Sequence, residues 1–173
     1  MKVVPLPGGL RWSALARNQE RKNFSSGQTA VDQWLKTKAL QHQEKHLSVT
    51  KVLLSETNEI AGYYTLATGQ VAFDDLPAPL VKNLPRRSLP VAVLAWLGVS
   101  QQMQGQGLGK HLLAQSLLDC YSAGLTFAFI AVVVDCVDDN AKSFYQRFDF
   151  QELPGRSNRL YLSASELADL MEE

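Results

Sequence analysis

The chain has 173 residues, of which 46% are hydrophobic and 9% aromatic, a composition that supports a packed core and excludes a disordered or fibrous protein. Its 17 basic and 17 acidic residues cancel, so net charge neither attracts nor repels a polyanion. Two cysteines, Cys120 and Cys136, are too few for a disulfide framework or a zinc site. We therefore expect two buried thiols and no metal site.

The start of the chain, MKVVPLPGGLRW, has no apolar run of signal-peptide length. The longest apolar stretch, LTFAFIAVVV at 125–134, is about half of what crosses a bilayer. No repeat or low-complexity segment divides the chain. We therefore expect a cytoplasmic protein without membrane association, in which residues 1–173 form a single domain.

The first half of the chain predicts a helix and a hairpin. Residues 29–46, TAVDQWLKTKALQHQEKH, place apolar side chains at helical spacing. VTKVLLS and IAGYYTLA then flank ETNE as two antiparallel strands. Residues 74–90, DDLPAPLVKNLPRRSLP, indicate a long internal loop. Residues 11–51 contain eight basic and three acidic residues, which indicates either a solvated basic face or a binding patch.

The middle of the chain predicts a strand, a helix and a second strand. Residues 90–99, PVAVLAWLGV, form the first strand, and apolar residues then recur at helical spacing from Leu108 to Tyr121. We expect Gly124 to end this helix in the left-handed conformation. FAFIAVVV at 127–134 is continuously apolar, which is typical of a strand covered on both faces.

The last part of the chain predicts a short helix, two strands and a terminal helix. In DDNAKSFYQRFDF, Asp138 or Asp139 can cap a helix that runs to Arg147, before a strand near residue 150. RLYL is a last strand, and Ser163 with Glu166 predicts a capping box. Since consecutive strands early in the chain need antiparallel pairing, the order predicts a mixed α/β domain, not a doubly wound one.

Three alternating glycines, Gly105, Gly107 and Gly109, lie between a predicted strand and a predicted helix. Free backbone N–H groups and the positive end of a helix dipole bind phosphate in such a turn. A P-loop is excluded because Gln104 and His111 occupy its first Gly and its Ser/Thr positions. The strict alternation also differs from the Gly-x-Gly-x-x-Gly of dinucleotide-binding folds.

The pattern Gln104-x-x-Gly107-x-Gly109 resembles the signature of the GNAT acetyltransferase superfamily. The resemblance extends to the strands VLAWLGV and FAFIAVVV and to NAKSFYQRFDF. It implies the GNAT fold, a central mixed β-sheet with antiparallel N-terminal strands, splayed central strands and flanking helices. It also implies acetyl-CoA as co-substrate and an amine as acetyl acceptor.

On this resemblance, backbone groups near the end of the strand contact the pantetheine and thioester, the glycine turn holds the pyrophosphate, and two residues of the next helix flank the cofactor. The strand contributes Leu97, Gly98 and Val99, the turn contributes Gln104, Gly105, Gln106, Gly107, Leu108, Gly109 and Lys110, and the flanking residues are Asn140 and Phe144.

Tyr145 is the candidate catalytic residue, because it lies where many members of this family carry a tyrosine. The departing thiolate of coenzyme A needs a proton, and a phenol with a pKa near 10 is protonated at neutral pH and can donate it. The alternative is a core aromatic on one apolar face with Phe144 and Phe148. No general base is assigned, and His42 and His46 are interpreted as solvated helix residues.

A narrower resemblance covers residues 20–163. FSSGQTAVDQWLKTKALQHQEKHLSVTKVLL and LPRRSLPVAVLAWLGVSQQMQGQGLGKHLL are similar to the acetyltransferase toxins of type II toxin–antitoxin modules. This implies acetylation of the α-amine of aminoacyl-tRNA, a block of translation and a ribbon-helix-helix antitoxin. We also expect a homodimer. The candidate tRNA contacts are Lys36, Lys38, Arg86, Arg87 and Arg159.

Two alternatives stay open. The same chemistry could act on a small-molecule or protein amine, or the chain could be a non-catalytic module that binds acyl-CoA. The combination of the glycine turn with Tyr145 argues against the non-catalytic module.

Overall fold

The computed structural model describes residues 1 and 4–173. The strands are β1 (Arg11–Ala14), β2 (Val49–Leu54), β3 (Ile60–Val71), β4 (Leu89–Val99), β5 (Ala131–Asp135), β6 (Gln151–Leu153) and β7 (Arg156–Ser163). The helices are α1 (Thr29–Thr37), α2 (Ala39–Glu44), α3 (Ala78–Val81), α4 (Leu108–Gly124), α5 (Asp139–Gln146) and α6 (Ala164–Glu172). Within the described residues, no helix is both long and apolar enough to cross a membrane.

The strands follow the order β1-β2-β3-β4-β5-β7-β6 in one mixed sheet. β1 pairs antiparallel with β2, β2 with β3, and β7 with both β5 and β6. The ladder between β4 and β5 is parallel and joins Ala92–Leu94 to Val132–Val134, whereas β4 itself continues to Val99. This arrangement confirms the predicted mixed α/β fold with antiparallel N-terminal strands.

The chain divides into two compact units. The turn unit contains residues 4–67 and 95–117, and therefore the glycine turn. The tyrosine unit contains residue 1 with 68–94 and 118–173, and therefore Tyr145. β3, β4 and α4 each contribute residues to both units.

Each unit has its own apolar cluster. In the turn unit, Leu15, Phe24, Val31, Leu35, Ala39, Val52, Leu54, Ile60 and Tyr63 are buried together. In the tyrosine unit, the buried cluster consists of Val71, Leu76, Val81, Leu89, Val91, Ala131, Val133, Leu153 and Tyr161. Burial of apolar surface in these clusters is the main favourable contribution to folding.

Most predicted elements are present, but some boundaries differ and two short elements were not predicted. One of them, helix α3, lies within residues 74–90, which were expected to form a loop. The helix expected over 29–46 breaks at Lys38, where φ is −127°, and forms α1 and α2. β5 begins only at Ala131, and Phe127, which was predicted to lie in a buried strand, is 80% exposed. The sequence pattern also missed β1, a four-residue strand whose partners on β2 lie far along the chain.

The prediction for Gly124 was half wrong. Helix α4 ends there, but the glycines with positive φ are Gly9, Gly27, Gly105, Gly107 and Gly155. A Cβ on Gly124 would lie 3.1 Å from the ring of Phe129. The glycine therefore makes room for an aromatic ring and does not provide a left-handed stop.

The cap predictions for α5 and α6 are confirmed. The Asp138 side chain accepts a hydrogen bond from the backbone N–H of Ala141, which makes Asp138 the N-cap of α5. Ser163 and Glu166 form the capping box of α6. These bonds satisfy N–H groups that have no partner inside the helix.

Candidate functional site

The glycine turn connects β4 to α4 and leaves its backbone accessible. Gly105 has φ +81° and Gly107 has φ +77°, a left-handed conformation that glycine adopts without strain. A Cβ at either position would meet no atom within 4 Å. The space over the turn is therefore open. A side chain at either position would fill part of this space.

Helix α4 directs its N-terminus toward this turn. The N–H of His111 bonds to the carbonyl of Gly107, whereas the N–H groups of the first helical residues have no partner inside the helix. They include Leu108, Gly109 and Lys110. With the positive end of the dipole of a 17-residue helix, these donors form a site suited to an anion such as a phosphate.

The side chain of Gln104 holds the turn in place. Its amide nitrogen donates to the carbonyl of Ser26 at 2.8 Å and to that of Val99 at 3.0 Å. Because these bonds occupy both amide hydrogens, the side chain has no donor left for a phosphate. Gln104 thus contributes to a ligand site by positioning the backbone.

The segment Phe24–Gly27 forms a second support for the turn. The backbone N–H of Gln101 donates to the carbonyl of Ser25 at 2.8 Å. The backbone N–H and hydroxyl of Ser26 both donate to Asp32, at 2.9 and 2.7 Å. Asp32 on α1 is therefore tied through this segment to the glycine turn. The segment has the sequence FSSG, which opens the stretch that carries the narrower resemblance, but the sequence analysis did not identify Asp32 or Gln101.

The C-terminal part of β4 carries Leu97, Gly98 and Val99. A Cβ at Gly98 would lie 2.5 Å from the Cγ1 atom of Val31, closer than real Cβ atoms approach other atoms. Glycine is required here because α1 packs directly on the strand. The Tyr63 hydroxyl fixes the same helix by donating to the carbonyl of Val31 at 2.6 Å.

An aromatic stack that sequence reasoning missed lies beside these residues in the turn unit. The rings of Trp34 and Trp96 are 5.4 Å apart and 14° from parallel. His42 packs edge-on against Trp34 at 4.7 Å. The indole N–H of Trp34 donates to Thr65, which bonds to Thr50. In the described part of the chain, no group of three or more His, Cys, Asp or Glu residues could hold a metal ion.

The tyrosine unit carries Asn140, Phe144 and Tyr145 on α5. The ring of Tyr145 packs edge-on against Phe144 at 5.2 Å and against Phe150 at 5.6 Å, and only 6% of the residue is exposed. Asn140 is exposed in the first turn, and Phe144 also contacts Phe148. The ring of Tyr145 is therefore part of the core, as periodicity indicated. Only its hydroxyl can have a catalytic role.

The hydroxyl of Tyr145 is protonated at neutral pH. Burial, and to a lesser extent Cys136, raises the pKa of Tyr145 above its ordinary value of 10. Among residues 1 and 4–173, the hydroxyl has no hydrogen-bond partner. Its proton is therefore available to a group that approaches it.

The two cysteines are buried and unpaired, as predicted. Burial raises the pKa of the Cys136 thiol to about 11 and that of Cys120 to about 12. Both thiols are protonated at neutral pH, and a thiol is a far weaker nucleophile than a thiolate.

The candidate tRNA contacts fall in both units. In the tyrosine unit, Arg159 pairs with Asp135 at 3.1 Å, the Arg86 guanidinium lies 5.4 Å from the ring centre of Phe73, and Arg87 is exposed. In the turn unit, Lys36 is half-buried on α1, and Lys38 is exposed at the end of that helix. The five candidate contacts therefore do not form a single basic patch within either unit.

Comparison with known proteins shows one family. The model of the acetyltransferase (GNAT) family matches residues 12–150. A tRNA-acetylating toxin of Mycobacterium tuberculosis (strain ATCC 25618 / H37Rv) is 35% identical over 132 residues, covering 76% of this chain and 78% of the relative.

Two solved structures show the same fold. AtaT complexed with acetyl-methionyl-tRNAfMet has a TM-score of 0.86 at 24% identity, over 94% of this chain and 99% of AtaT. AtaTR bound with AcCoA has a TM-score of 0.83 at 24% identity, over 94% of this chain and 98% of the other.

Proposed function

The chain belongs to the acetyltransferase (GNAT) family, and we propose that it transfers the acetyl group of acetyl-CoA to the α-amine of an aminoacyl-tRNA. The 35% identity to a tRNA-acetylating toxin supports this acceptor, as does the fold shared with AtaT, which is complexed with an acetylated methionyl-tRNA. An acetylated α-amine is no longer nucleophilic, so it cannot attack a peptidyl ester and translation stops.

The glycine turn is the observation that carries the proposal. Its open left-handed glycines and the N-terminus of α4 bind the pyrophosphate of acetyl-CoA through backbone N–H groups. Backbone groups of Leu97, Gly98 and Val99 contact the pantetheine and thioester, and Asn140 and Phe144 flank the cofactor. Gln104 acts through its two hydrogen bonds, which fix the shape of the turn.

Tyr145 is the general acid in this proposal. The amine nitrogen attacks the thioester carbon, the carbon–sulfur bond breaks, and sulfur leaves with the electron pair. The Tyr145 hydroxyl gives its proton to the sulfur, and the proton released by the nitrogen returns to the phenolate through solvent. Burial suits this role because it keeps the hydroxyl protonated before the reaction.

The proposal extends to the biological setting. The protein acts in the cytoplasm as a toxin, is neutralised by a ribbon-helix-helix antitoxin, and forms a homodimer. Residues 1–173 act as one acetyltransferase domain, an assignment supported by β3, β4 and α4, which belong to both units.

Transfer from labelled acetyl-CoA to a pool of charged tRNA tests the function. We expect label on aminoacyl ends, none on uncharged tRNA, and loss of transfer in Tyr145→Phe. Digestion of the product identifies the acetylated amino acid. Label on free amines or proteins but not on charged tRNA would favour the alternative acceptor. Tight acetyl-CoA binding with no transfer to any amine would favour a non-catalytic module.

A further inference from the structure

A cleft of about 430 Å³ in the turn unit concentrates positive charge. It is lined by Gln19, Glu20, Arg21, Lys22 and Lys36, and we call it the basic cleft. Four of these residues are consecutive in the segment before α1, and Lys36 extends from α1 itself. The cleft therefore has three cations and one carboxylate.

The other two polar side chains of the cleft, Glu20 and Gln19, hydrogen-bond to backbone groups of their own segment. The Glu20 carboxylate accepts from the backbone N–H of Asn23 at 3.2 Å. The Gln19 side chain accepts from the N–H of Ala16 and donates to the carbonyl of Ala14. Both side chains thus stabilise the backbone of the segment before α1. Phe24, which follows the cleft residues in the chain, is buried and only 4% exposed.

In the described part of the chain, the three cations have no ion-pair partner. One terminal nitrogen of Arg21, Nη1, is buried without a hydrogen bond. Across residues 1 and 4–173, neither Arg21, Lys22 nor Lys36 forms a salt bridge. Arg17, four residues earlier, pairs with Glu44, and Glu20 is the one carboxylate among the residues that line the cleft. A buried cationic nitrogen without an acceptor is unfavourable unless a ligand supplies the compensating charge.

We propose that the basic cleft binds a phosphate group, and that this phosphate belongs to the backbone of the aminoacyl-tRNA acceptor. A phosphate oxygen accepts hydrogen bonds from guanidinium and ammonium groups together, and its charge offsets that of Arg21. The identity of the ligand rests on the proposed function, whereas the affinity for phosphate rests on the cleft alone. The other source of the same chemistry is a phosphate of coenzyme A.

The double variant Lys22→Ala/Lys36→Ala tests the cleft. The affinity for charged tRNA should fall by about tenfold or more at low salt, and the slope of log Kd against log salt should decrease by up to about two. The Kd for acetyl-CoA should not change, because the proposed site holds the tRNA backbone and not the cofactor. Lys45→Ala, an exposed lysine at the end of α2 and outside the cleft, is the matched control and should keep the wild-type slope.

Arg21→Gln is the second variant, because it removes the charge while keeping most of the stem. It should lower tRNA affinity in the same direction, with the melting temperature measured alongside. Wild-type tRNA affinity and salt slope in the folded double variant would overturn the proposal. A loss of acetyl-CoA affinity alone would assign the cleft to a cofactor phosphate and overturn the tRNA assignment.

Failure of the proposed function can be distinguished from failure of the cleft proposal. If the wild-type protein acetylates no charged tRNA, that function is wrong, and direct binding of uncharged tRNA then decides the cleft by itself. Weaker binding and a lower salt slope in the double variant would still support the phosphate site, whereas equal binding would overturn it.

Discussion

The turn unit and the tyrosine unit contribute to function through different parts of the chain. The turn unit offers backbone N–H groups, whose exposure depends on glycines and on the bonds of Gln104 and Ser26. The tyrosine unit offers one side-chain hydroxyl, whose proton is held by burial of the ring. Changes in the turn unit should therefore act on binding of acetyl-CoA, and a change at Tyr145 should act on the rate of transfer.

Gly107→Val should have the largest effect on acetyl-CoA binding. The valine side chain would occupy the open space over the turn and exclude the pyrophosphate. Charge-assisted hydrogen bonds contribute about 1.5–3 kcal/mol each, so losing two or more raises the Kd for acetyl-CoA by roughly a hundredfold or more. Isothermal titration calorimetry measures the change.

Gly155→Val is the matched control for Gly107→Val. Gly155 lies between β6 and β7, has φ +73°, and a Cβ there would also meet no atom within 4 Å. Both variants therefore carry a similar backbone strain of about 1–2 kcal/mol, and their melting temperatures should fall together. Equal acetyl-CoA affinity in the two variants would show that the glycine turn is not the cofactor site.

Tyr145→Phe should separate rate from binding. Phenylalanine keeps the ring contacts with Phe144 and Phe150 but has no proton to donate. A positioned general acid contributes roughly 10² to 10⁴ in rate, about 3 to 5 kcal/mol of barrier. The Kd for acetyl-CoA should stay close to wild type. Single-turnover transfer at saturating acetyl-CoA measures the loss.

Tyr161→Phe is the control within the same unit. Its hydroxyl donates to Gln151 at 3.1 Å, so this variant removes a phenolic proton on a different element, β7. It should keep nearly the full transfer rate. If Tyr145→Phe retains more than about half of the wild-type rate, another group protonates the thiolate and Tyr145 is only a core aromatic.

Gln104→Ala should weaken cofactor binding moderately. The variant removes the bonds to Ser26 and Val99, and two neutral hydrogen bonds together contribute about 1–3 kcal/mol. We expect the Kd for acetyl-CoA to rise by roughly tenfold and kcat to stay within about twofold, because the turn loses its shape but not its donors. Gln102→Ala, an exposed glutamine in the preceding turn, should leave both values unchanged.

The features that the sequence predicted correctly depend on neighbours along the chain. The hairpin of β2 and β3, the Asp138 cap, the Ser163 box and the glycine turn are all encoded within a few residues. Their backbone hydrogen bonds and φ angles are set locally, so a pattern of residue types is sufficient.

The features that the sequence did not predict depend on distant contacts. Trp34 stacks on Trp96 only because α1 lies on β4, and β1 forms only because β2 offers an edge. Gly124 shows a related difficulty. The sequence does not distinguish a glycine that makes room for an aromatic ring from a glycine in the left-handed conformation. Arg21 likewise differs from other surface arginines only through the cleft in which it lies.

The titration of Tyr145 should give the smallest signal and the most direct test of its burial. The chain has five tyrosines, so the tyrosinate absorbance of wild type minus that of Tyr145→Phe isolates one of them. Burial raises the pKa of Tyr145, so the midpoint of the difference curve should lie above the ordinary value of 10. The unfolded chain loses this proton near pH 10 while the folded chain keeps it, so Tyr145 contributes stability that is complete below pH 10 and is lost as pH rises through the folded pKa. The free energy of unfolding should therefore fall more steeply above pH 10 in wild type than in Tyr145→Phe. A midpoint at or below 10 would mean that water or a hydrogen-bond partner reaches the phenolate, and the buried-donor account of this residue would be wrong.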